Sequence, residues 1–237
     1  MYFDPLYWVV IGAGMALSLW AQFRVKSTFA KYSQLATGSG LTGAEVAKNI
    51  LRANGIHDVS IEPVPGSLTD HYDPRQKVLR LSEPVFGGRS MAAAGIAAHE
   101  VGHAIQHATG NAFLKFRSAW VPVANLGGGI SMFVIIAALF LGGTATALGG
   151  KLAILGVALF ATTTVFTLVT LPVEFDASRR ALATLQQGGM MSGEELGGAK
   201  KVLDAAAMTY IAAAATSILT LLYYAFQLGL FGGRSRD

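Results

Sequence analysis

Long apolar runs alternate with mixed polar segments along this chain. Four of the runs reach the roughly 20 residues that a helix needs to cross a bilayer. They cover residues 6–23, 121–143, 152–173 and 209–231. We therefore predict a mainly α-helical integral membrane protein with about four transmembrane helices, in which the second and third form a hairpin. The composition agrees, since 52% of residues are hydrophobic and only 14% are charged.

The segment between the first two spans, residues 24–120, has the pattern of a water-soluble α+β domain. Thr42 and Glu45 fit a capping box that opens an amphipathic helix, and Asn54 with Gly55 fits its end. A short strand is predicted at residues 59–61. After a turn at Asp73-Pro74, the alternation at residues 77–82 predicts a hairpin or edge strand.

Residues 77–82 have two interpretations that the sequence does not separate. An exposed edge strand could hold an extended substrate backbone as an added strand, and a plain structural strand is an equal alternative. The following residues, 83–89, contain Pro84 and Gly87-Gly88, which predict a loop leading to the next helix.

The basic residues predict how the chain crosses the membrane. We divide it into a first span (1–23), a soluble domain (24–120), a membrane hairpin (121–173), soluble helices (174–208), and a fourth span with tail (209–237). Fifteen of the eighteen Lys and Arg residues fall in the two soluble segments, which places both in the cytoplasm. Arg234 and Arg236 would then lie outside, against the same rule. The net charge of +4 is spread without a dense basic stripe, so no nucleic-acid binding is predicted.

Residues 90–110, SMAAAGIAAHEVGHAIQHATG, read as one helix with an N-cap at Ser90 and a terminating Gly110. Within it, HExxH places His99 and His103 on one face, where both imidazoles can bind one Zn²⁺. Glu100 is then the candidate catalytic base. Because the chain has no cysteine, any further ligand must be a histidine or a carboxylate.

A catalytic zinc usually has three protein ligands, so the histidine pair needs a partner. His107 is too far from His99, about 12 Å along the helix, and is interpreted as a polar or supporting histidine. Thr109 occupies the position of a metzincin third histidine and excludes that class. Glu174 follows Pro172 at the start of a predicted helix after the third span. It could be the third ligand, or a carboxylate stabilised by the helix dipole.

Three stretches, LSEPVFGGRS at 81–90, AAHEVGHAIQ at 97–106 and LPVEFDASRRAL at 171–182, resemble the YugP-type neutral zinc metallopeptidases, which are bacterial membrane proteins. The likeness covers nearly the whole chain. It implies a zincin-like domain in which His99, His103 and Glu174 bind Zn²⁺ and Glu100 is the base. The arrangement is more distantly similar to HtpX-type and CAAX-processing proteases, whose third ligand opens an E-x-x-A-D stretch. Here Ser178 replaces that aspartate, and Asp176 is the alternative carboxylate.

These observations together predict a zinc endopeptidase of the bacterial inner membrane with its active site facing the cytoplasm. The expected partners are the lipid bilayer and peptide or membrane-protein substrates. Two alternatives stay open: a zinc-binding scaffold or chaperone-like module without hydrolytic activity, and a zinc hydrolase for other amides or esters. The candidates for stabilising an oxyanion, which the sequence does not rank, are His71, Tyr72, Arg179 and Arg180.

Overall fold

A computed structural model of the protein describes residues 4–228. This part of the chain is mainly helical. Its elements are α1 (Pro5–Ser33), α2 (Gly43–Ala53), β1 (Ser60–Val64), β2 (His71–Asp73), β3 (Val78–Ser82), α3 (Glu83–Phe86), α4 (Met91–Ala108), α5 (Ala112–Phe140), α6 (Ala147–Gln187) and α7 (Gly193–Gln227), with a 3₁₀ turn at Gly143–Ala145.

Among residues 4–228, four helices are long and apolar enough to cross a membrane, as the hydrophobic pattern predicts. They are α1, α5, α6 and α7, with mean hydropathy between 1.5 and 2.2 over their most apolar windows. α1 and α6 contain the whole first and third predicted spans and extend beyond them, whereas α5 begins before the second span but ends at Phe140, three residues short of its predicted end. The end of the fourth predicted span, residues 229–231, lies outside the described residues, as do Arg234 and Arg236.

The chain divides into two compact units, and the first consists, within the described residues, of 4–20, Phe116–Thr170 and 210–228. In its described part, small and hydroxyl-bearing residues join the apolar helices. The Thr164 and Ser217 hydroxyls are 2.7 Å apart between α6 and α7, and the indole N–H of Trp120 donates to the carbonyl of Thr162 at 2.9 Å. Such bonds satisfy polar groups that water cannot reach in a bilayer.

The second unit consists of Ala21–Lys115 and Leu171–Thr209. Its core surrounds α4, whose small side chains allow close packing. Buried residues of α2, including Val46 and Ile50, pack with Leu79 and Leu81 of β3 in the same cluster. The sheet described here has the order β1–β3–β2, with β1 parallel and β2 antiparallel to β3.

The predicted boundaries of α2 and α4 in this unit are confirmed. Thr42 Oγ1 accepts from the N–H of Glu45 at 3.2 Å, and Glu45 Oε2 accepts from the N–H of Thr42 at 2.8 Å, which is a complete capping box. Ser90 caps α4 by accepting from the N–H of Ala93. Gly110 follows that helix with φ +69°, a conformation that favours glycine.

The interpretation of residues 77–82 as an exposed edge strand is wrong. β3 is the central strand, with β1 paired to residues 78–82 on one side and β2 paired to residues 78–80 on the other, so it is not an edge strand. The plain structural alternative is therefore correct. Alternating hydrophobicity shows that a strand packs on a core, but it does not show how many neighbours the strand has. The buried Val78 and Leu79, on opposite faces, agree with a central position.

Two further local predictions also need correction. Residues 83–86 form the short helix α3 instead of a loop, because Pro84 in the first turn loses no helical hydrogen bond. The predicted break at Pro172 is absent, since α6 continues through it to Gln187. Pro172 removes one backbone donor, a cost that a long, packed helix tolerates. Glu174 therefore lies inside a helix, and its alternative role as a helix-start carboxylate no longer applies.

Candidate metal centre

The buried helix α4 carries the HExxH motif near its middle. His103 and Glu100 are each 8% exposed, and the imidazole rings of His99 and His103 meet edge to face with centroids 4.8 Å apart. This geometry follows from the four-residue spacing, which places both rings over the same face of the helix. The predicted arrangement of the two histidines is therefore present.

Glu174 of α6 reaches the same point. Its Oε2 lies 3.2 Å from Nε2 of His99 and 3.5 Å from Nε2 of His103. Only 3% of Glu174 is exposed to solvent. Within residues 4–228, these three side chains are the group able to hold a metal ion, with ligand atoms all within 4.8 Å of one another. The structure thus brings Glu174 to a histidine pair that begins 75 positions earlier in the sequence.

The other ring nitrogens of the two histidines contact groups outside this triad. Nδ1 of His99 lies 3.1 Å from Oγ of Ser178, and Nδ1 of His103 lies 3.0 Å from Oε1 of Gln106. A histidine that donates from Nδ1 presents a free lone pair at Nε2, the form that binds metal ions. Both Nε2 atoms face the Glu174 carboxylate.

The donor set fits a zinc ion. Ligands at 2.0 to 2.1 Å in a tetrahedron are separated by about 3.3 Å, and the two distances from Glu174 to the histidines bracket this value. Two imidazole lone pairs and a carboxylate, all acceptors, converge in a buried space. A cation among them satisfies these acceptors at once, and two histidines with one carboxylate leave a fourth position open.

Glu100 is buried beside the histidine pair on α4. Burial raises the pKa of its carboxyl, while the neighbouring His99 and His103 act in the opposite direction. A cation at the three ligands would further favour the ionised form. The arrangement provides an acid–base group next to the metal position, although its catalytic role stays a prediction.

The remaining candidates are engaged elsewhere. Nδ1 of His107 is 2.8 Å from the hydroxyl of Tyr72, outside the ligand triad, in agreement with its supporting interpretation. Burial, followed by the charges of Asp58 and Asp73, raises the pKa of Tyr72 to about 12. Nδ1 of His71 donates to the carbonyl of Thr69.

Sequence reasoning assigned no contact in the site to two residues, Gln106 and Ser178, the second of which it noted only as the replacement of an aspartate. Ser178 lies four residues after Glu174, so helical spacing alone places both on the same face of α6 and could have identified it. Gln106 lies three residues after His103, but its role depends on α6, and no local pattern reveals that contact. Asp176 reaches the site through Gln106, whose Nε2 donates to its Oδ2 at 2.9 Å.

Gly102, the fourth residue of the HEVGH stretch, permits close contact between α4 and α6. A Cβ added there would lie 2.6 Å from the backbone carbonyl oxygen of Ala177, which no side-chain rotation can relieve. Since Glu174 lies one turn before Ala177, the spacing of its carboxylate from the histidines depends on this contact.

We expect Gly102→Ala to push α6 from α4, destabilise the protein by about 1 to 3 kcal/mol and weaken metal binding. Thermal unfolding with and without added zinc measures both effects. Gly197→Ala is the matched control, because Gly197 is an exposed helical residue with nothing within 4 Å of an added Cβ. Equal stability and equal zinc response in the two variants would refute the packing argument.

Comparison with known proteins identifies the class to which this fold and this site correspond. The family described as "Putative neutral zinc metallopeptidase" matches residues 7–229, and the chain belongs to this family. It is 47% identical over 212 residues to "Putative membrane protease YugP" of Bacillus subtilis (strain 168), covering 90% of this chain and 92% of that protein. No solved structure matches.

These findings confirm the resemblance drawn from the sequence. The family supports a zinc-dependent protease role, and its zinc corresponds to the possible ligand site at His99, His103 and Glu174. The relative and the four apolar helices of residues 4–228 indicate a multi-pass membrane protein.

Proposed function

We propose that the protein is a zinc-dependent endopeptidase that cleaves membrane-associated or membrane-proximal proteins at the cytoplasmic face of the bacterial inner membrane. The observation that carries this proposal is the convergence of two imidazoles and a buried carboxylate beside Glu100. The triad would hold Zn²⁺, and family membership supports that choice of metal.

Each group of residues in the site has a separate role in the proposed hydrolysis. When bound, zinc supplies a Lewis acid that polarises a scissile carbonyl and lowers the pKa of water. The Glu100 carboxylate accepts a proton from the attacking water and later donates it to the leaving amine nitrogen. Nδ1 of His99 and of His103 contact Ser178 and Gln106, which keep the imidazoles oriented toward the metal position.

Sequence position supports a substrate near the membrane. Glu174 directly follows the predicted third span, and only residues 109–111 separate α4 from α5, whose apolar stretch is the second span. The excess of Lys and Arg in residues 24–120 and 174–208 favours a cytoplasmic location for the ligands. Peptides anchored to the bilayer would reach such a site at a high local concentration.

The buried Glu100 also distinguishes this proposal from a zinc-binding scaffold. A purely structural zinc site closes its fourth position with a protein ligand and needs no acid–base group. Within the described residues, the triad contains three ligands and has Glu100 next to it.

Hydrolysis by membrane vesicles tests the function and its orientation together. We expect inverted vesicles, which expose the cytoplasmic face, to cleave an added membrane-impermeant protein substrate. Right-side-out vesicles should not cleave it. A chelator should abolish cleavage and zinc should restore it. Cleavage only by right-side-out vesicles would refute the orientation, and cleavage unaffected by chelation would refute the metal mechanism.

The substrate class is tested with the purified chain in proteoliposomes. One cleavable sequence is presented either behind a membrane anchor or as a soluble peptide, so that only anchoring differs. Faster cleavage of the anchored form is expected. Equal rates would argue against a preference for membrane-proximal proteins, and hydrolysis confined to small esters would favour the non-peptide alternative.

A further inference from the structure

Gln106 is fully buried, and every polar atom of its side chain has a partner. Its Nε2 donates to the carbonyl oxygen of Val173 at 2.8 Å and to Oδ2 of Asp176 at 2.9 Å, while its Oε1 faces Nδ1 of His103 at 3.0 Å. A buried amide of this kind is costly unless all its bonds are made, so complete satisfaction by α6 and His103 indicates a specific role.

The orientation of this amide determines which proton His103 carries. Both acceptors on α6, a carbonyl and a carboxylate, require the NH₂ end of Gln106. Its oxygen must therefore point at His103, and Nδ1 of that ring must donate. The tautomer so selected has its lone pair at Nε2, directed at the position shared with His99 and Glu174.

Asp176 is held firmly at the far end of this chain of bonds. Nε of Arg180 donates to its Oδ2 at 2.6 Å, Nδ2 of Asn111 lies 3.4 Å from the same oxygen, and Arg179 pairs with Oδ1. The carboxylate side chain is only 13% exposed. A negative charge fixed in this way prevents the side-chain amide of Gln106 from flipping, because a flip would place its oxygen against the carboxylate.

Gln106 also fixes the spacing between the two helices that carry ligands. Its donor to Val173 contacts the backbone directly before Glu174, and its acceptor contacts His103. The Gln106 side chain thus bonds to the ring of His103 on α4 and to the backbone carbonyl next to Glu174 on α6. His99 has a different partner, the hydroxyl of Ser178, which can donate or accept and so selects no tautomer by itself.

We propose that Gln106 is a positioning residue, which fixes the Nδ1–H tautomer of His103 and links it to the Asp176 carboxylate. This inference rests on the proposed zinc site at His99, His103 and Glu174. Gln106 contacts neither the metal position nor a substrate directly, so its effect should appear first in zinc affinity.

Zinc titration of the metal-stripped, full-length chain against a competing chelator tests the proposal. Gln106→Met keeps the approximate volume but removes the amide, and zinc affinity should fall about 10- to 100-fold. Tyr72→Phe is the matched control, because it removes a bond of similar length to Nδ1 of His107, on the same helix but outside the triad. Its zinc affinity should equal that of the wild type.

A double variant and a spectroscopic signature separate positioning from a merely structural role. Gln106→Glu with Asp176→Asn keeps the total charge and again places an acceptor at His103, but it loses the donor to the Val173 carbonyl, so its zinc affinity should lie between those of Gln106→Met and the wild type. In the cobalt-substituted wild type, the shifted proton resonance of the His103 Nδ1–H should be protected from exchange with water. In Gln106→Met this resonance should broaden or disappear, while that of His99 remains.

Unchanged zinc affinity and an unchanged His103 resonance in Gln106→Met would overturn the proposal. If the wild type binds zinc and His103→Ala does not, such a result refutes only the role of Gln106. If the wild type and His103→Ala bind zinc equally, the proposed metal site itself is wrong, and this inference fails with it.

Discussion

Replacing Glu174 with alanine should leave the purified protein without zinc. The substitution removes one of three ligands from a buried site, and the remaining two imidazoles do not provide the usual protein ligand set of a catalytic zinc. Metal analysis should find about one zinc ion per chain in the wild type and almost none in the variant. Hydrolysis should fall to the background rate because the metal is missing.

Glu194→Ala provides the control for this loss. Glu194 is an exposed residue in the first turn of α7, so the same substitution there should leave zinc content unchanged. Full zinc occupancy in Glu174→Ala would remove Glu174 from the ligand set, whatever happens to hydrolysis. Far-UV circular dichroism must show that the Glu174→Ala protein is folded before its zinc content is used to decide whether Glu174 is a ligand.

Glu100→Gln should show the opposite combination, with zinc retained and hydrolysis lost. The amide has nearly the same shape as the carboxylate but cannot take a proton from water. A positioned general base contributes about 10² to 10⁴-fold to a rate, so kcat/KM should fall by that factor. Zinc content and kcat/KM are measured on the same sample, so that retained zinc and lost hydrolysis are both observed for one preparation.

The two variants are informative as a pair because they separate binding from proton transfer. Loss of zinc in Glu100→Gln would assign Glu100 to the ligand set instead of to catalysis. Hydrolysis at the wild-type rate in that variant would exclude it as the base. Either outcome leaves the test of Glu174 open, since that test measures the zinc content of a separate variant.

Much of this molecule follows from local pattern. The apolar runs predict the helices that can span a membrane, and the Thr42 capping box and the Ser90 N-cap are found where side-chain chemistry predicts them. HExxH gives the two histidines because a helix has a fixed period. The position of Glu174 in the triad came from the resemblance, since no spacing rule connects residues 75 positions apart.

What the sequence did not reveal depends on contacts between distant segments. The strand at residues 78–82 is central because β1 pairs with its second side, and no alternation along β3 reports that neighbour. Pro172 does not end its helix, because tertiary packing outweighs the loss of one backbone bond. Gln106 reads as an ordinary polar residue near a helix end, and only the approach of α6 gives its amide three partners.

Because α6 is unbroken, its geometry gives the distance along the helix axis from the start of the helix to Glu174. Glu174 lies 27 residues after Ala147 in this helix, which is about 40 Å along its axis at 1.5 Å per residue. The hydrocarbon core of a bilayer is about 30 Å thick, so a helix that starts at one surface of the core and tilts by about 40° would bring this carboxylate to the opposite edge. We therefore expect Glu174 to lie near the lipid headgroups, where its ionisation would carry no penalty from the hydrocarbon.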